Sequence, residues 1–356
     1  MQYDAMRNKL SIVIFVDRID ILQFHERGST YHCASIDYAI AAMDLWQRIQ
    51  AHPNYGLVFQ QEGDRGYCMH GEEGEPPKRM HGITASLRAK FYPDADKVYK
   101  AMGRAFGKGS ETVTAQKGRS LGSRVHRELH VYAQTMNFAS NQWQGEQEVV
   151  AIAKERLGLF NRVMSVNNNL RKGYKIHPCT AAILLHFLCK ERWVPICGEL
   201  SVGDIRSNPG LFATQIDSVC VSVDDPTRSK LILCEVKTGY NDNGFKRKLG
   251  MLRNLPRSRR PGQRQWEETE VVSSTLIHAK MQIVFGAALL VIQYGIPWER
   301  LDLRVVHCES VAHTKMYRNR QTGAVVKKNM LKVETEKVTE GEIRIFLAAL
   351  HRQGFL

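Results

Sequence analysis

Ala213-Thr214-Gln215-Ile216-Asp217-Ser218-Val219 and, past the turn-rich Asp224-Asp225-Pro226-Thr227, Leu233-Cys234-Glu235-Val236-Lys237-Thr238-Gly239 decide how this chain folds. Both runs are rich in β-branched and apolar residues, which favour strands. Side chains alternate faces along a strand, so Glu235 and Lys237 point the same way. Pairing of the two strands as a hairpin brings Asp217 to them. Ile216, Val219, Val221, Ile232 and Val236 make the runs apolar on both faces, as in a covered sheet. That argues against a surface hairpin with a cross-strand ion pair of little energetic worth. A buried pair of acids needs a cation. Two carboxylates and an ammonium at one place can hold a divalent metal and position a water for attack on a phosphodiester.

Outward from this hairpin the pattern is mixed. Strands are expected at 193–202, 212–223, 230–237, 301–307 and 328–334. Helical spacing of Val125, Leu129, Tyr132 and Met136 predicts a helix over 122–136. Further helices are expected at 146–159, from Pro178 to about 190, and across the apolar 274–294. Thr339 and Glu342 form a capping-box pattern for a last helix to about Arg352. Nearer the N-terminus, 10–15 reads as a strand and 36–49 and 94–106 as helices, with 71–82 and 107–120 as loops. The fold class is therefore α/β, a mixed central sheet flanked by helices. An N-terminal α/β extension of unassigned role, 1–110, precedes the domain 111–356.

The 356 residues carry a formal net charge of +14, with a pI near 9.4. Such an excess favours a polyanionic partner, foremost nucleic acid. Lys246, Arg247, Lys248, Arg253, Arg257, Arg259, Arg260 and Arg264 crowd a stretch read as an exposed loop, 245–264, directly after the Glu235-Val236-Lys237 strand. They are candidates for tracking a phosphate backbone in a salt-sensitive way. The eight cysteines contain no CxxC pair, which suits a reducing intracellular compartment. No membrane span is expected, because His278, Lys280, Gln282 and Gln293 interrupt the apolar helix.

Asp217 followed by Glu235-x-Lys237 resembles the PD-(D/E)xK phosphodiesterase superfamily. Four segments resemble its RecB-like branch, which includes the mitochondrial genome-maintenance exonuclease. Gln215-Ile216-Asp217 and Glu235-Val236-Lys237-Thr238 look like its G-x-hydrophobic-D and (D/E)-x-K-T motifs. Gly122-Ser123-Arg124-Val125-His126-Arg127-Glu128-Leu129 is similar to its G-T-x-x-H-x-x-L helix. Gln282 stands where its Q-x-x-x-Y motif has glutamine, and Gly286 where it has tyrosine. A second G-x-x-x-H, Gly173 to His177, lacks the flanking matches. His126 with His130 forms neither HExxH nor its inverse, so a zinc-protease reading is set aside.

The resemblance implies a restriction-endonuclease-like core and a nuclease hydrolysing phosphodiester bonds. It suggests an exonuclease on single-stranded DNA or DNA ends, serving replication, repair or recombination. The alternatives are an endonuclease, including one acting on RNA, and a catalytically idle nucleic-acid-binding protein of the same fold. Mg²⁺ or Mn²⁺ would be held by His126, Asp217, Glu235 and the Val236 carbonyl. Lys237 would orient the nucleophile and offset developing charge, and Gln282 would lie by Lys237 or the substrate backbone. Glu199 is a possible outer-shell or second-metal ligand. Some members hold an iron–sulfur cluster with four cysteines, three clustered near the C-terminus. Here only Cys308 lies in the last third, so no cluster is expected.

Overall fold

The computed structural model of the chain describes residues 14–15, 18–19, 45–61, 66–71, 74–94, 108–135, 176–206, 212–222, 230–239, 245–258, 267–318 and 325–356. The helices expected at 94–106, Asp94 apart, and at 146–159 lie outside these residues, as do Met136, Arg259, Arg260 and Arg264. Two short strands, β1 (Ile14–Phe15) and β2 (Arg18–Ile19), pair antiparallel near the N-terminus. Residues 45–50 are helical, the end of the helix expected over 36–49.

An eight-stranded mixed sheet organises the rest. Its strands are β3 (Val58–Gln60), β4 (Tyr67–Met69), β5 (Lys78–Gly82), β6 (Trp193–Gly203), β7 (Phe212–Ser222) and β8 (Leu231–Thr238), then β13 (Leu301–Arg318) and β14 (Val325–Lys337). Between the last two pairs lie four two-residue strands: β9 (Gly250–Met251), β10 (Arg257–Ser258), β11 (Glu267–Glu268) and β12 (Val272–Ser273). The path runs β14-β13-β8-β7-β5-β4-β3, with β6 also on β7. β8–β13 and β5–β7 are parallel, and every other pair is antiparallel. Burial is nearly continuous along β7 and β8, because both faces of the sheet are covered.

Among the described residues, besides the helical 45–50, the sheet is flanked by α1 (Ile83–Phe91), α2 (Lys108–Thr135), α3 (Pro178–Leu185), α4 (Thr275–Tyr294) and α5 (Glu340–Arg352). Val125, Leu129 and Tyr132 are buried on α2, as their spacing requires. Pro178 opens α3, where its missing N–H costs nothing. A π-helical turn, His186–Glu191, follows it and ends on Arg192 at φ +57. The capping box of α5 is formed, with Thr339 and Glu342 satisfying each other's backbone N–H groups. α4 is long and apolar enough to cross a bilayer by length and composition, yet most of it is buried within the fold.

The structure corrects four readings. Residues 78–82 are strand β5, not loop. This run is mostly exposed, so hydrogen bonding to β4 and β7, and not an apolar pattern, makes it a strand. Residues 108–120 are the first turns of α2, not loop. β13 and β14 extend well beyond 301–307 and 328–334, carried by their mutual ladder past a bulge between Val311 and Lys315. The stretch from 245 is not wholly exposed: Phe245, Leu249, Leu252 and Leu255 are buried and anchor it to the core.

Candidate functional site

β7 has two edges, and their use differs. β6 pairs along one edge from Ala213 to Ser222. β8 and β5 must then share the other. β8 takes Ser218 to Val221, and β5 takes Phe212 and Ala213. Residues 214–217 are left between two ladders without a strand partner on that side. Backbone groups in such a gap need other partners. The continuing register places Asp217 across from Glu235, but the ladder stops one step short. There the Asp217 carboxylate takes over, its Oδ2 accepting from the Val236 N–H at 2.7 Å.

α2 lowers His126 onto this point. Its Nε2 donates to the Val236 carbonyl at 3.2 Å, because a carbonyl can only accept. Nδ1 then faces Asp217 Oδ1 across 3.4 Å. A proton on Nδ1, or a cation held between the two atoms, would satisfy this contact. Gly122, one turn earlier, brings α2 close to β8: a Cβ there would sit 3.7 Å from the Thr238 hydroxyl. His130, one turn later, binds the Gly198 carbonyl through Nδ1 at 2.6 Å.

Glu235 is buried and its carboxylate is held by the Lys237 ammonium. Burial, and next the Asp217 charge, push its carboxyl up to about 8, against the pull of Lys237. Glu199 lies between the Gly198–Ser218 and Leu200–Ile216 pairs of β6 and β7, hence across from Asp217. It is half-buried and adopts φ +52, a left-handed conformation that costs an L-residue roughly 1–2 kcal/mol.

Sequence reasoning missed two residues here. Tyr67, on β4, lies within range of the charges of three carboxylates. Its phenol is pushed up to about 12, first by burial and then by the charges of Asp217, Glu235 and Glu199, against a hydrogen bond from the Gln215 backbone. Nothing in the short run Gly66-Tyr67-Cys68-Met69 signals this placement. Glu128 is fully buried and joins α2 to α3. Its Oε2 accepts from the His177 N–H at 3.0 Å and the Thr180 hydroxyl at 2.5 Å, and its Oε1 from Arg124 Nε at 2.9 Å. The signal lay in its i, i+4 spacing from Arg124.

Other expected site residues are not gathered in. Gln282 is half-buried, and among the described residues no hydrogen bond joins its side chain to Lys237 or the carboxylates. One turn on, Gly286 packs so closely on β7 that a Cβ would lie 3.3 Å from Ile216 Cγ1 and 3.4 Å from Thr214 Cγ2. A tyrosine ring has no room there. His278 and Gln293 serve the fold: His278 stacks on Tyr92 at 3.6 Å and bonds the Ser273 hydroxyl at 2.6 Å, while Gln293 bonds Gly203 and Asn54. Of the basic residues, Lys246 is paired with Glu336 at 2.7 Å and Arg253 with Asp94. Arg247 and Lys248 are exposed, and Arg257 lies on β10.

The donors suit Mg²⁺ or Mn²⁺: two carboxylates, a backbone carbonyl and an imidazole. Among the described residues no three His, Cys, Asp or Glu side chains close on one point. His126, Asp217 and the Val236 carbonyl do converge, with Glu235 beside them on Lys237. The described cysteines are all free. No family model matches the chain, and no curated protein or solved structure matches it either.

Proposed function

We propose that the chain is a Mg²⁺- or Mn²⁺-dependent nuclease with a restriction-endonuclease-like core of the PD-(D/E)xK type. One observation carries this reading: His126 Nδ1 and Asp217 Oδ1 face each other across 3.4 Å beside the Val236 carbonyl, with the buried Glu235–Lys237 pair alongside. A divalent ion there would polarise the scissile phosphate and lower the pKa of a bound water. Asp217 and His126 would fix the ion on one side, and Glu235 would join once Lys237 turned to substrate. The Lys237 ammonium, three-quarters buried, would then orient the attacking water and offset charge on the phosphorane-like transition state.

The favoured substrate is DNA, single-stranded or at ends, with exonuclease action in replication, repair or recombination. Arg247 and Lys248 are free to meet phosphates, whereas Lys246 and Arg253 would exchange a carboxylate for one. The buried free cysteines suit a reducing compartment.

The test is incubation of the purified protein with Mg²⁺ or Mn²⁺ and linear or circular single-stranded DNA, duplex DNA, or RNA, beside Lys237→Ala. Metal-dependent cleavage lost in the variant is expected. No cleavage of any substrate by the parent overturns the nuclease reading in favour of an idle nucleic-acid-binding protein. Cleavage of circles overturns strict exonuclease action, and RNA-only cleavage overturns the choice of DNA.

A further inference from the structure

Resting on the nuclease reading, we infer that Tyr67 is a substrate-contacting residue of the same site: its hydroxyl donates a hydrogen bond to a non-bridging oxygen of the phosphodiester held at Asp217 and Glu235.

The sheet topology puts it there. β4 pairs with β5 through Tyr67 and Met80, and β5 abuts β7 at Phe212 and Ala213. That is the edge on which β8 ends at Ser218, so β4 and β5 wall the gap from the side opposite β8. Gly82 keeps the wall close: a Cβ there would lie 3.6 Å from the Tyr67 ring. The ring packs against Val58, Met80 and Ala213, which fixes its direction. Its oxygen accepts the hydrogen bond of the Gln215 N–H, one of the groups orphaned by the gap. A phenol has one proton of its own, and with its oxygen already accepting, that proton is left to donate.

The chemistry of the site needs such a donor. The charges of Asp217, Glu235 and Glu199 all act on the hydroxyl. A phosphodiester brought among them is repelled unless donors meet its oxygens. An uncharged phenol that stays protonated at neutral pH donates without adding to the charge that must be desolvated. The strands β4 and β5 thereby acquire a function: they wall the gap in β7 and carry a group that binds substrate.

The experiment compares the parent, Tyr67→Phe and Lys237→Ala. Phenylalanine keeps the ring and removes only the hydroxyl. Steady-state cleavage of a fluorescein-labelled single-stranded oligodeoxynucleotide is measured with Mn²⁺. Anisotropy titration of the same oligonucleotide is run with Ca²⁺ in place of Mn²⁺, and thermal unfolding is followed without nucleic acid. The expected result is a fall in kcat/KM of roughly ten- to hundred-fold for Tyr67→Phe. The Kd in Ca²⁺ should weaken several-fold, and the unfolding midpoint should fall by no more than a few degrees as the Gln215 N–H loses its acceptor. An active parent with Tyr67→Phe inside about twofold in both kcat/KM and Kd overturns the assignment. A lowered midpoint with both constants unchanged also overturns it, leaving Tyr67 as a plug for the Gln215 N–H. A parent that neither cleaves nor binds removes the nuclease reading itself, and the role of Tyr67 with it.

Discussion

Replacing Glu128 by alanine tests how α2 is fixed, and through α2 the position of His126. The carboxylate is 0 % exposed and accepts hydrogen bonds from three donors among the described residues. Two come from the first turn of α3, the His177 N–H and the Thr180 hydroxyl, so the negative charge also sits at a helix N-terminus, where it is favoured. The third comes from Arg124, whose side chain is 39 % exposed and can turn to water at small cost. The loss therefore concentrates in the two α3 donors. Each buried donor left without a partner costs about 1–3 kcal/mol, so Glu128→Ala should cost about 3–5 kcal/mol. Glu128→Gln keeps one acceptor oxygen and should cost about half as much. Urea unfolding followed by circular dichroism reads both values, and the m-value should be unchanged. Loss of α3 anchoring lets α2 shift, so any residual folded Glu128→Ala should also bind Mn²⁺ more weakly. A cost under about 1 kcal/mol for the alanine variant, or equal costs for both, would refute the reasoning.

Asp217→Asn should abolish cleavage yet raise stability by about 1 kcal/mol near pH 9, because it removes the charge that opposes ionised Glu235. Thermal unfolding at that pH checks it, and a destabilised variant would contradict the repulsion. His278 is held neutral, its imidazole pushed down to about 3 by burial and then by Arg88. The unfolded chain therefore binds a proton that the folded chain refuses between about pH 6.5 and 3. Stability should fall with falling pH across that window, by at most about 1.4 kcal/mol per unit from this group, and His278→Phe should flatten the slope. Gly286→Ala should change stability by under about 1 kcal/mol, helix propensity offsetting the tight Ile216 and Thr214 contacts. Gly286→Tyr overpacks the same seam and should cost about 3 kcal/mol or more, read by the shift in urea midpoint.

The elements legible in the sequence are those whose pattern is their own cause. β7 and β8 are buried on both faces, and their apolar residues fall on both faces instead of alternating with solvent-facing ones. α4 and α5 announce their starts through Ser274 and Thr339, side chains that cap the helices whatever lies around them. β5 is different. Lys78-Arg79-Met80-His81-Gly82 buries only Met80, and its strand conformation comes from ladders to β4 and β7. No local propensity encodes a partner more than a hundred residues away.

The candidate site divides along the same line. Asp217, Glu235, Lys237 and His126 stand in short motifs because one strand pair and one helix turn set their spacing. Gln282 stands in a motif as well, but the close seam at Gly286 governs how α4 meets the sheet, and no bond carries Gln282 to Lys237. Tyr67 has no motif, since what brings it to the carboxylates is the shared edge of β7. That edge is the cause of the site. Were β8 to continue its ladder one residue further, the Asp217 carboxylate would lose the Val236 N–H it now accepts. Were β5 to reach beyond Ala213, Tyr67 would lose the Gln215 N–H. The catalytic reading and the role of Tyr67 both follow from the same four residues, 214–217, left without a strand on one side.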